Sequence, residues 1–432
     1  MSEPNNTITS PHTHRRRTVT PDDHPGPAAP AKRRTFLGYL ALMGPAFVVG
    51  AWQFGPGNLT TAVQAGSRFD YSLVWVIAVS TVLMIFFTDM SVRLGITAPG
   101  SLITAIKQHL GKWVGVLAGL GVFGITLMFS VGNAVGSGLG LSLVFGGSPV
   151  LWSVVCTAAV GFVLAFRNVY GVVEKALLVI VVLMGIAFIA STIVAQPDWY
   201  RSMEGMVPSL PAGSEILIVA LVGTNFSINA AFYTSYGIKE NGRTRADYRD
   251  ITLVDTIPGI VAPGIMTALV IMVAAAVLGK TGAEAGTINA LASVFAPLAG
   301  PVGSMLFALG LSGAAFSSMI ANATAGGTML SDGLGRGAQA GSPTARIFTG
   351  VILAFGLVIT LSFQSSPVGL IVIAQSLTVL IAPLLGALIV IMANKKAVMG
   401  NLRNTWWQNL FGAIGLIAII ASSIRLITTL VG

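Results

Sequence analysis

Long apolar runs dominate the pattern of the chain, and short polar segments separate them. We count eleven such runs, at about residues 37–65, 71–95, 114–145, 149–166, 172–195, 214–237, 252–279, 302–331, 346–364, 367–394 and 406–430. Most of them reach about 20 residues, which at about 1.5 Å per residue lets a helix cross a hydrocarbon core of about 30 Å. The pattern therefore predicts an all-α integral membrane protein with eleven transmembrane helices.

The composition narrows the class further. Of the 432 residues, 54% are hydrophobic and only 9% are charged, whereas soluble domains carry about 25% charged residues. This balance excludes a soluble globular enzyme. The one cysteine, Cys156, lies in an apolar run, and the histidines lie in the tail or a loop, at His12, His14, His24 and His109. We therefore expect no disulfide framework, no zinc cluster and no cofactor.

The N-terminal segment differs in kind from the rest. Residues 1–35 are rich in Pro, Thr, His and Arg and show no apolar periodicity, which predicts a disordered basic cytoplasmic tail. A polar stretch separates its arginines from the first apolar run, so we expect no cleaved signal peptide. Residues 36–431 form the predicted transmembrane domain.

The net charge of +9 is best explained by membrane topology rather than by nucleic-acid binding. Only Arg68, Arg201, Lys280 and Arg425 of the 24 Lys and Arg residues fall on one side of the predicted bundle. The rule that cytoplasmic loops are positively charged then places the N-terminus inside and the C-terminus outside. We expect a multi-pass protein of the plasma membrane, compatible with a bacterial inner membrane, and no nucleic-acid partner.

Two of the apolar runs contain residues that a continuous helix would avoid. Residues 53–58 read Gln-Phe-Gly-Pro-Gly-Asn, and residues 223–229 read Gly-Thr-Asn-Phe-Ser-Ile-Asn. Pro removes a backbone donor and Gly lowers helix propensity, so we predict that helices one and six are broken. Either break alone could be a packing kink. Because the two breaks lie five spans apart, they predict two inverted five-helix repeats, helices 1–5 and 6–10, with an eleventh helix appended.

The residues at these places resemble the Nramp family of divalent-metal transporters. The segment Gly55-Pro56-Gly57-Asn58 is similar to the Asp-Pro-Gly-Asn motif of the family's first helix. Further similarities are Gly136-Ser137 in span three, Asp255 at the start of span seven, Ser317-Ser318 with Ala325-Gly326 in span eight, and Gln375 with Pro383 in span ten. The resemblance covers about residues 37–430. It implies the inverted-repeat fold, a central site between broken helices, alternating access and a monomer.

The sequence departs from this family at the positions that the family uses for metal binding and proton passage. The family's metal positions fall on Gly55, Asn58 and Phe226, and only Asn58 keeps the family's residue type. In helix six, the family's histidine falls on Ile228 while its asparagine is kept as Asn229. The acidic pair of span three falls on Ser130 and Asn133, and the second Gln of helix ten falls on Ile381. The sequence therefore assigns no metal ligand at these positions.

The candidate functional residues follow from the breaks and the resemblance. The expected substrate-binding residues are Gly55, Gly57, Asn58, Thr224, Asn225, Phe226, Ser227, Asn229 and Gln375. The expected translocation path adds Ser130, Asn133 and Asp89. Interhelical hydrogen bonding is the alternative role for each polar side chain among them.

The sequence places three acids in or at the edge of the spans, namely Asp89, Glu174 and Asp255. Asp89 stands four residues before Arg93, a spacing that favours an ion pair on one helix face over proton coupling. Glu174 and Asp255 stand at predicted helix starts, where they complement the helix dipole.

These features predict a secondary active transporter of Nramp type, with a small solute or ion and the lipid bilayer as its partners. The family resemblance favours a divalent cation as the substrate. The residues favour another solute, because neutral ligands do not readily replace the water shell of a divalent cation. A small anion, carboxylate or neutral solute is therefore the alternative substrate. A channel or a transport-dead sensor is a lesser alternative. The spans lack an acid/base pair or activated nucleophile, so an enzyme is not expected.

Overall fold

The computed structural model describes residues 53–166, 185–279, 287–294, 300–364 and 366–431, together with residues 42, 44–46, 50 and 183. The predicted disordered tail, the first part of span one and most of the first half of span five, including Glu174, lie outside the described residues. The described part of the chain is helical and contains no β-strand. The predicted all-α class is confirmed there.

The helices are numbered here in chain order. They are α1 Pro56–Phe69, α2 Val74–Thr97, α3 Leu102–Leu110, α4 Lys112–Phe145, α5 Pro149–Ala165, α6 Gly185–Ala195, α7 Trp199–Glu204, α8 Glu215–Asn225, α9 Ile228–Glu240, α10 Tyr248–Ile251, α11 Ile257–Val277, α12 Ile288–Ser293, α13 Pro301–Gly333, α14 Pro343–Ser362, α15 Pro367–Leu377, α16 Ala382–Asn394, α17 Lys396–Met399 and α18 Trp406–Val431. A π-helical turn at Thr252–Thr256 joins α10 to α11.

Seven helical segments of the described chain are long and apolar enough to cross a membrane. They are Val74–Thr97, Lys112–Phe145, Glu215–Glu240, Arg245–Val277, Val302–Gly333, Pro343–Ser362 and Trp406–Val431. An eighth is formed if the bent pair Pro367–Leu380 and Ala382–Asn394 counts as one span. The shorter apolar helices α5 and α6 lie in the fourth and fifth predicted spans. The count of eleven spans and the repeat arrangement remain predictions.

Both predicted interruptions are present. Helix α1 begins at Pro56, and Gly55 before it is extended, with φ −90° and ψ −176°. Helices α8 and α9 are separated by Phe226 and Ser227. The second interruption is therefore only two residues long, and the flanking helices still form one span.

A third interruption was not predicted. A 3-10 turn at Thr378–Leu380 separates α15 from α16, and the chain bends there by 41°. Pro383 lies in the first turn of α16, where its missing N–H removes no helical hydrogen bond. Proline at this place ends the preceding helix and begins the next one.

Small residues let the helices approach closely, as expected where lipid tails provide little force for association between helices. Helix α4 runs along α13, and a Cβ atom on Gly119 would lie 2.8 Å from the carbonyl oxygen of Met329. On the same helix, a Cβ atom on Gly140 would lie 2.6 Å from the carbonyl oxygen of Ala308. These two approaches hold α4 and α13 together along most of their length.

The described spans contain more acids than the sequence predicted. The eighth apolar run was predicted to end at residue 331, but α13 continues to Gly333 and includes Asp332. Asp332 is buried, and Glu215 begins α8 within the sixth predicted run, so at least five acids, rather than three, lie in or at the edge of the spans. The predicted run ended two residues before the helix does, because the charge of Asp332 lowers the local hydropathy.

The contact between α1 and α11 gives a testable prediction. A Cβ atom on Gly66 would lie 2.1 Å from the carbonyl oxygen of Ile271, which is backbone and cannot rotate away. We expect Gly66→Ala to lower the free energy of unfolding by about 1–3 kcal/mol because the two helices must separate. The measurement is denaturation of the purified protein in detergent. Gly350→Ala is the matched control, since nothing lies within 4 Å of that position, and an equal loss in both variants would contradict the contact.

Candidate functional site

The side chain of Gln375 marks the place where four helices meet. A Cβ atom on Gly57 of α1 would lie 2.4 Å from its Nε2, and one on Gly132 of α4 would lie 2.6 Å from the same atom. A Cβ atom on Gly223 of α8 would lie 2.5 Å from the carbonyl oxygen of Gln375. Gln375 itself belongs to α15. Gly57 and Gly132 therefore make room for the carboxamide of Gln375, and Gly223 makes room for its backbone carbonyl, next to both predicted interruptions.

Several buried amides at the interruptions and on the neighbouring α4 have no hydrogen-bond partner within the protein. In Asn58 and Gln375, neither the amide nitrogen nor the amide oxygen is paired. The amide nitrogens of Gln53, Asn133 and Asn229 are also unpaired. An unpaired buried polar group costs about 1–3 kcal/mol, and buried polar groups in proteins are nearly always satisfied. So many unpaired amides close to two helix breaks indicate a site that receives a ligand or water.

Two helices begin at the interruptions, α1 and α9. Gly55 stands at the N-cap of α1 and Ser227 at that of α9, and neither helix start is capped by a side chain. The Ser227 hydroxyl instead donates to Oδ1 of Asn229 at 2.7 Å. Free N–H groups at a helix start carry a partial positive charge. Both breaks therefore expose positive helix ends within the bundle.

A small cavity of about 10 Å³ lies beside the second interruption. It has room for about one water molecule. Its lining is mostly apolar and consists of Ile125, Val222, Gly223, Phe226, Ile228, Asn229, Thr378, Val379, Ala382 and Ile419. The Phe226 ring packs edge-to-face on Phe87, with centroids 5.1 Å apart. Phe226 is therefore both a wall of the cavity and a part of the hydrophobic core.

Other candidate residues have partners within the protein. The Asn225 amide nitrogen donates to the Thr81 hydroxyl at 3.0 Å and so joins α8 to α2. The Thr224 hydroxyl donates to the carbonyl oxygen of Ala220 in its own helix. The Ser130 hydroxyl donates to the carbonyl oxygen of Ile352 at 2.9 Å. The structure thus brings Gly55, Gly57, Asn58, Phe226, Ser227, Asn229 and Gln375 to the two interruptions and the helices that meet there, while Thr224, Asn225 and Ser130 make packing contacts.

Asp89 belongs to a polar cluster away from the interruptions. It forms the i,i+4 ion pair with Arg93 at 2.9 Å and accepts a hydrogen bond from the Tyr248 hydroxyl at 2.8 Å. Arg93 also donates to the carbonyl oxygen of Leu402 and to Oδ1 of Asn404. This cluster ties α2 to α10 and to the segment before α18. Its contacts are those of a structural link at the predicted cytoplasmic end.

Asp332 is the centre of a second cluster at the same end. The Tyr236 hydroxyl of α9 donates to its carboxylate at 2.6 Å, and the Ser101 hydroxyl at the start of α3 donates to the same oxygen. Lys107 of α3 approaches the other carboxylate oxygen at 3.8 Å. Asp332 therefore links the far end of broken helix six to α13 and α3.

Asp255 has a role that the sequence did not indicate. Its carboxylate accepts hydrogen bonds from the backbone N–H groups of Gly44 and Ala46, at 2.9 and 3.0 Å. The first described helical residues of span one, Pro45 and Ala46, begin at this point, so Asp255 caps another helix rather than its own. A Cβ atom on Gly237 would lie 2.8 Å from Pro45. The start of span one is thus held by α9 and by the turn before α11.

The donor set at the site is neutral. Within the described residues, no group of three or more His, Cys, Asp or Glu side chains could hold a metal ion. The fully buried amide oxygens without a partner at the site are those of Asn58 and Gln375. Two contributors were missed by sequence reasoning, Gln53 and Thr378, whose hydroxyl donates to the carbonyl oxygen of Gln375 at 2.6 Å. Gln53 adjoins the Gly-Pro-Gly motif, but no sequence signal singled out Thr378.

Apolar helices that can cross a membrane several times, interrupted around buried unpaired amides, define a multi-pass membrane protein of the transporter class. Residues 46–429 match the profile of the family described as Natural resistance-associated macrophage protein-like, abbreviated Nramp. The chain belongs to the Nramp family, whose members include metal-ion transporters. The family resemblance found in the sequence is confirmed.

Similar proteins span nearly the whole chain. The divalent metal cation transporter MntH of Bacillus subtilis is 27% identical over 411 residues, which are 93% of this chain and 95% of that protein. The manganese transporter of Eremococcus coleocola, crystallised with an aromatic bis-isothiourea compound, has a TM-score of 0.76 at 19% identity and covers 93% of this chain and 89% of its own. MhsT in complex with L-phenylalanine has a TM-score of 0.55 at 16% identity and covers 88% of this chain and 98% of its own. The two structures show the fold alone.

The Asp332 cluster gives the second prediction. Tyr236→Phe removes one hydroxyl from a buried carboxylate, and we expect the free energy of unfolding in detergent to fall by about 1.5–3 kcal/mol. In a double-mutant cycle, Asp332→Asn should make the further loss from Tyr236→Phe smaller, because the two groups interact directly. Tyr200→Phe is the matched control, since that side chain is 73% exposed. Additive losses in the cycle would show that the two residues are not coupled.

Proposed function

We propose that the chain is a secondary transporter that carries a small solute through the site around Gln375 by alternating access. The observation that supports this most is the set of buried, unpaired amides where the interrupted helices meet. Interrupted helices at corresponding places in two halves are typical of transporter binding sites, because freed backbone groups face the solute. In this proposal the helices form two inverted five-helix repeats, 1–5 and 6–10, with an eleventh helix after them.

The contacts suggest how the site opens. Asn58 and Gln375 are almost fully buried, so the site is closed in this conformation. At the predicted cytoplasmic end, Asp255 holds the start of span one and Asp332 holds the end of α9. Both broken spans are therefore fixed by carboxylates at one end. Opening to that side requires these hydrogen bonds to break, and solute binding at the breaks would be coupled to them through the half-helices.

A divalent cation is the substrate that the relatives' names favour, since MntH and the Eremococcus coleocola protein are named as metal and manganese transporters. In this chain the family's metal positions are Gly55, Asn58 and Phe226. Among the described residues, the oxygens at the interruptions are neutral, and these suit a cation that keeps part of its water shell. Bare transition metals prefer thiolate, thioether or imidazole ligands, which the described site lacks.

A small anion, carboxylate or neutral solute is the second candidate. It is favoured by the two helix N-termini at Gly55 and Ser227, which have no side-chain cap and no acidic residue in the first helical turn. A solute-selective channel or a transport-dead sensor would use the same fold. Uptake that saturates with solute concentration in proteoliposomes separates a transporter from both, since a channel does not saturate in this way and a sensor gives no flux.

The lost carboxylate at position 55 supplies the third prediction. Gly55→Asp places a negative charge at the start of α1, so we expect Mn²⁺ to bind this variant at least about tenfold more tightly than the native protein. Calorimetric titration of both purified proteins with Mn²⁺ and Mg²⁺ measures the change. Gly341→Asp is the matched control, because that glycine is exposed in a loop with nothing within 4 Å. Micromolar Mn²⁺ binding by the native protein would contradict the importance of the lost ligand.

The fourth prediction concerns the proposed topology, with the N-terminus in the cytoplasm and the C-terminus outside. Cys156 is the only cysteine of the chain and is buried, so the background labelling should be low. We expect Thr20→Cys to react with a membrane-impermeant maleimide only in inverted vesicles, and Val431→Cys only in intact spheroplasts. The reverse pattern would overturn the orientation, and labelling of both from one side would overturn the odd span count.

Size-exclusion chromatography of the native protein in detergent tests the proposed monomer.

A further inference from the structure

We infer that a loop at the predicted cytoplasmic end binds the phosphate headgroup of an anionic lipid. This loop, residues 395–403, joins α16 to α18 and carries Lys395, Lys396 and Arg403. It is called the basic loop below. The inference concerns the surface of the bundle rather than the central site, so it is independent of the solute that is carried.

Hydrogen bonds hold the basic loop in a closed form. The backbone N–H of Asn404 donates to the carbonyl oxygen of Ala393 at 3.1 Å. The amide nitrogen of Asn394 donates to Oδ1 of Asn409, in the first turn of α18, at 2.7 Å. Gly400 turns the chain with a φ of 52°, a left-handed conformation that suits glycine. The cations of the loop therefore lie on a compact turn of chain.

The start of α4 lies beside the basic loop. The Lys395 ammonium donates to the carbonyl oxygen of His109 at 3.0 Å. His109 stands three residues before Lys112, which is the first residue of α4. Lys112 therefore adds a fourth cation from a separate part of the chain.

The segment before α10 also meets the basic loop. A Cβ atom on Gly400 would lie 3.5 Å from a guanidinium nitrogen of Arg245. On the same segment, the Asp247 carboxylate accepts hydrogen bonds from the N–H and the hydroxyl of Thr244, at 2.9 and 2.8 Å. That carboxylate caps its own turn, and the guanidinium of Arg245 is the charged group that lies against Gly400.

The exposed cations around the basic loop lack an acidic partner. Residues 333–432 contain no Asp or Glu, and neither do residues 90–173. Lys112, Lys396 and Arg403 are exposed, and none of the ion pairs among the described residues includes them. An anion from outside the protein can therefore approach all three.

Membrane topology alone does not explain this difference. Arg93 and Lys107 lie at the same end of the bundle, but they approach the carboxylates of Asp89 and Asp332 at 2.9 and 3.8 Å. The rule for cytoplasmic loops predicts that cations collect at this end, but it does not predict which of them stay unpaired. Unpaired cations gathered around one loop favour an external anionic partner.

Exposed tryptophans place the basic loop at the level of the lipid headgroups. Trp406 and Trp407 follow the loop at the start of α18, and their rings stack with centroids 3.8 Å apart. Both are more than half exposed, and Trp113, next to Lys112, is 79% exposed. Exposed tryptophans are typical of the interface between membrane and water. The cations therefore lie where lipid phosphates lie.

A phosphodiester without a cation of its own fits this surface best. Lys and Arg form charge-assisted hydrogen bonds with phosphate oxygens, and each one near the surface strengthens the attraction to anionic lipids. A zwitterionic headgroup brings an ammonium group, which the basic loop repels. An acidic polypeptide would match the cations but not the exposed tryptophans. Phosphatidylglycerol has the required chemistry.

A lipid bound here stabilises the folded bundle. Arg93 of α2 donates to the carbonyl oxygen of Leu402 at 2.7 Å and to Oδ1 of Asn404 at 2.9 Å. The end of the basic loop is thus tied to α2. A ligand that binds only the folded protein raises Tm as its concentration rises, so thermal unfolding reports the binding.

The experiment uses the purified full-length protein in a neutral detergent. Thermal unfolding is followed as dioleoylphosphatidylglycerol is added to the micelles, with dioleoylphosphatidylcholine as the zwitterionic lipid of the same chains. Inorganic phosphate and polyglutamate are the probes for a free anion and for an acidic polypeptide. We expect phosphatidylglycerol to raise Tm in a saturable manner and more than the other three probes, with a smaller effect at high salt.

The matched variants test whether the unpaired cations are responsible. Lys396→Gln combined with Arg403→Gln should raise the phosphatidylglycerol concentration for half of the Tm shift by about tenfold or more. Arg336→Gln combined with Arg346→Gln removes as many charges from exposed positions at the same end and should leave that concentration unchanged. Should the first variant fail to fold, Lys112→Gln should raise the concentration about fivefold, with Arg336→Gln as its control.

The contrary outcomes are distinct from a failure of the proposed function. If phosphatidylcholine raises Tm as much as phosphatidylglycerol does, or if the control variant loses as much affinity as the test variant, the inference is overturned. If inorganic phosphate or polyglutamate stabilises the protein as well as phosphatidylglycerol does, the lipid is the wrong partner and the inference is likewise overturned. None of these outcomes bears on transport through the central site, because the basic loop and the central amides involve different residues.

Discussion

The need to satisfy polar groups without water is the constraint on which the rest of this structure depends. Inside a bilayer, a continuous helix pairs its own backbone groups, and any interruption must be covered by protein or by a ligand. This chain interrupts its helices at Gly55 and at Phe226–Ser227 and places the carboxamide of Gln375 beside the first break. Gly57 and Gly132 have no side chains, which makes that placement possible. The price of the interruptions is visible in the amides that remain unpaired.

The charged residues of the described spans are also buried away from water, but unlike the central amides they have partners within the protein. Asp89, Asp255 and Asp332 are all buried, and each has several partners. Asp89 contacts an arginine and a tyrosine, and Asp255 accepts hydrogen bonds from two backbone N–H groups. Asp332 contacts a tyrosine, a serine and a lysine. Full satisfaction makes these clusters rigid links between helices. The contrast with the central amides is informative, because the same chain pairs its charges completely at one end and leaves neutral amides unpaired at the interruptions. The fully paired groups link helices of the bundle, whereas the unpaired amides lie at the interruptions and on the helices beside them.

Local chemistry explains which features the sequence could predict. The Gly55-Pro56-Gly57 run and the polar cluster at 223–229 both predicted breaks, since helix propensity is a property of neighbouring residues. The Asp89–Arg93 pair followed from i,i+4 spacing on one helix. By contrast, Asp332 meets Tyr236 across 96 residues of chain, and no spacing rule reaches that far. The same holds for Asp255, whose carboxylate caps a helix start more than 200 residues earlier.

The sequence predicted which residues lie near the candidate site but not which of them lack hydrogen-bond partners and which of them join helices. The family resemblance brought Gln375, Asn58 and Asn229 into one list with Thr224, Asn225 and Ser130, yet only tertiary contacts separate the amides that lack partners from the groups that join helices.

This separation bears on how a transporter scaffold changes its substrate. Under the proposed match to the family's Asp-Pro-Gly-Asn motif, Gly55 stands in the place of a carboxylate and removes a charge without adding volume, so the helix breaks and the glycine contacts around Gln375 can persist. The electrostatic character of the site is then set by the helix ends, which a ligand carboxylate of the protein would otherwise neutralise. The carboxylates that hold the start of span one and the end of α9 lie apart from this position and do not depend on it. The links at one end and the unpaired amides at the breaks therefore involve different residues, so a substitution at the breaks leaves the links between the helices in place.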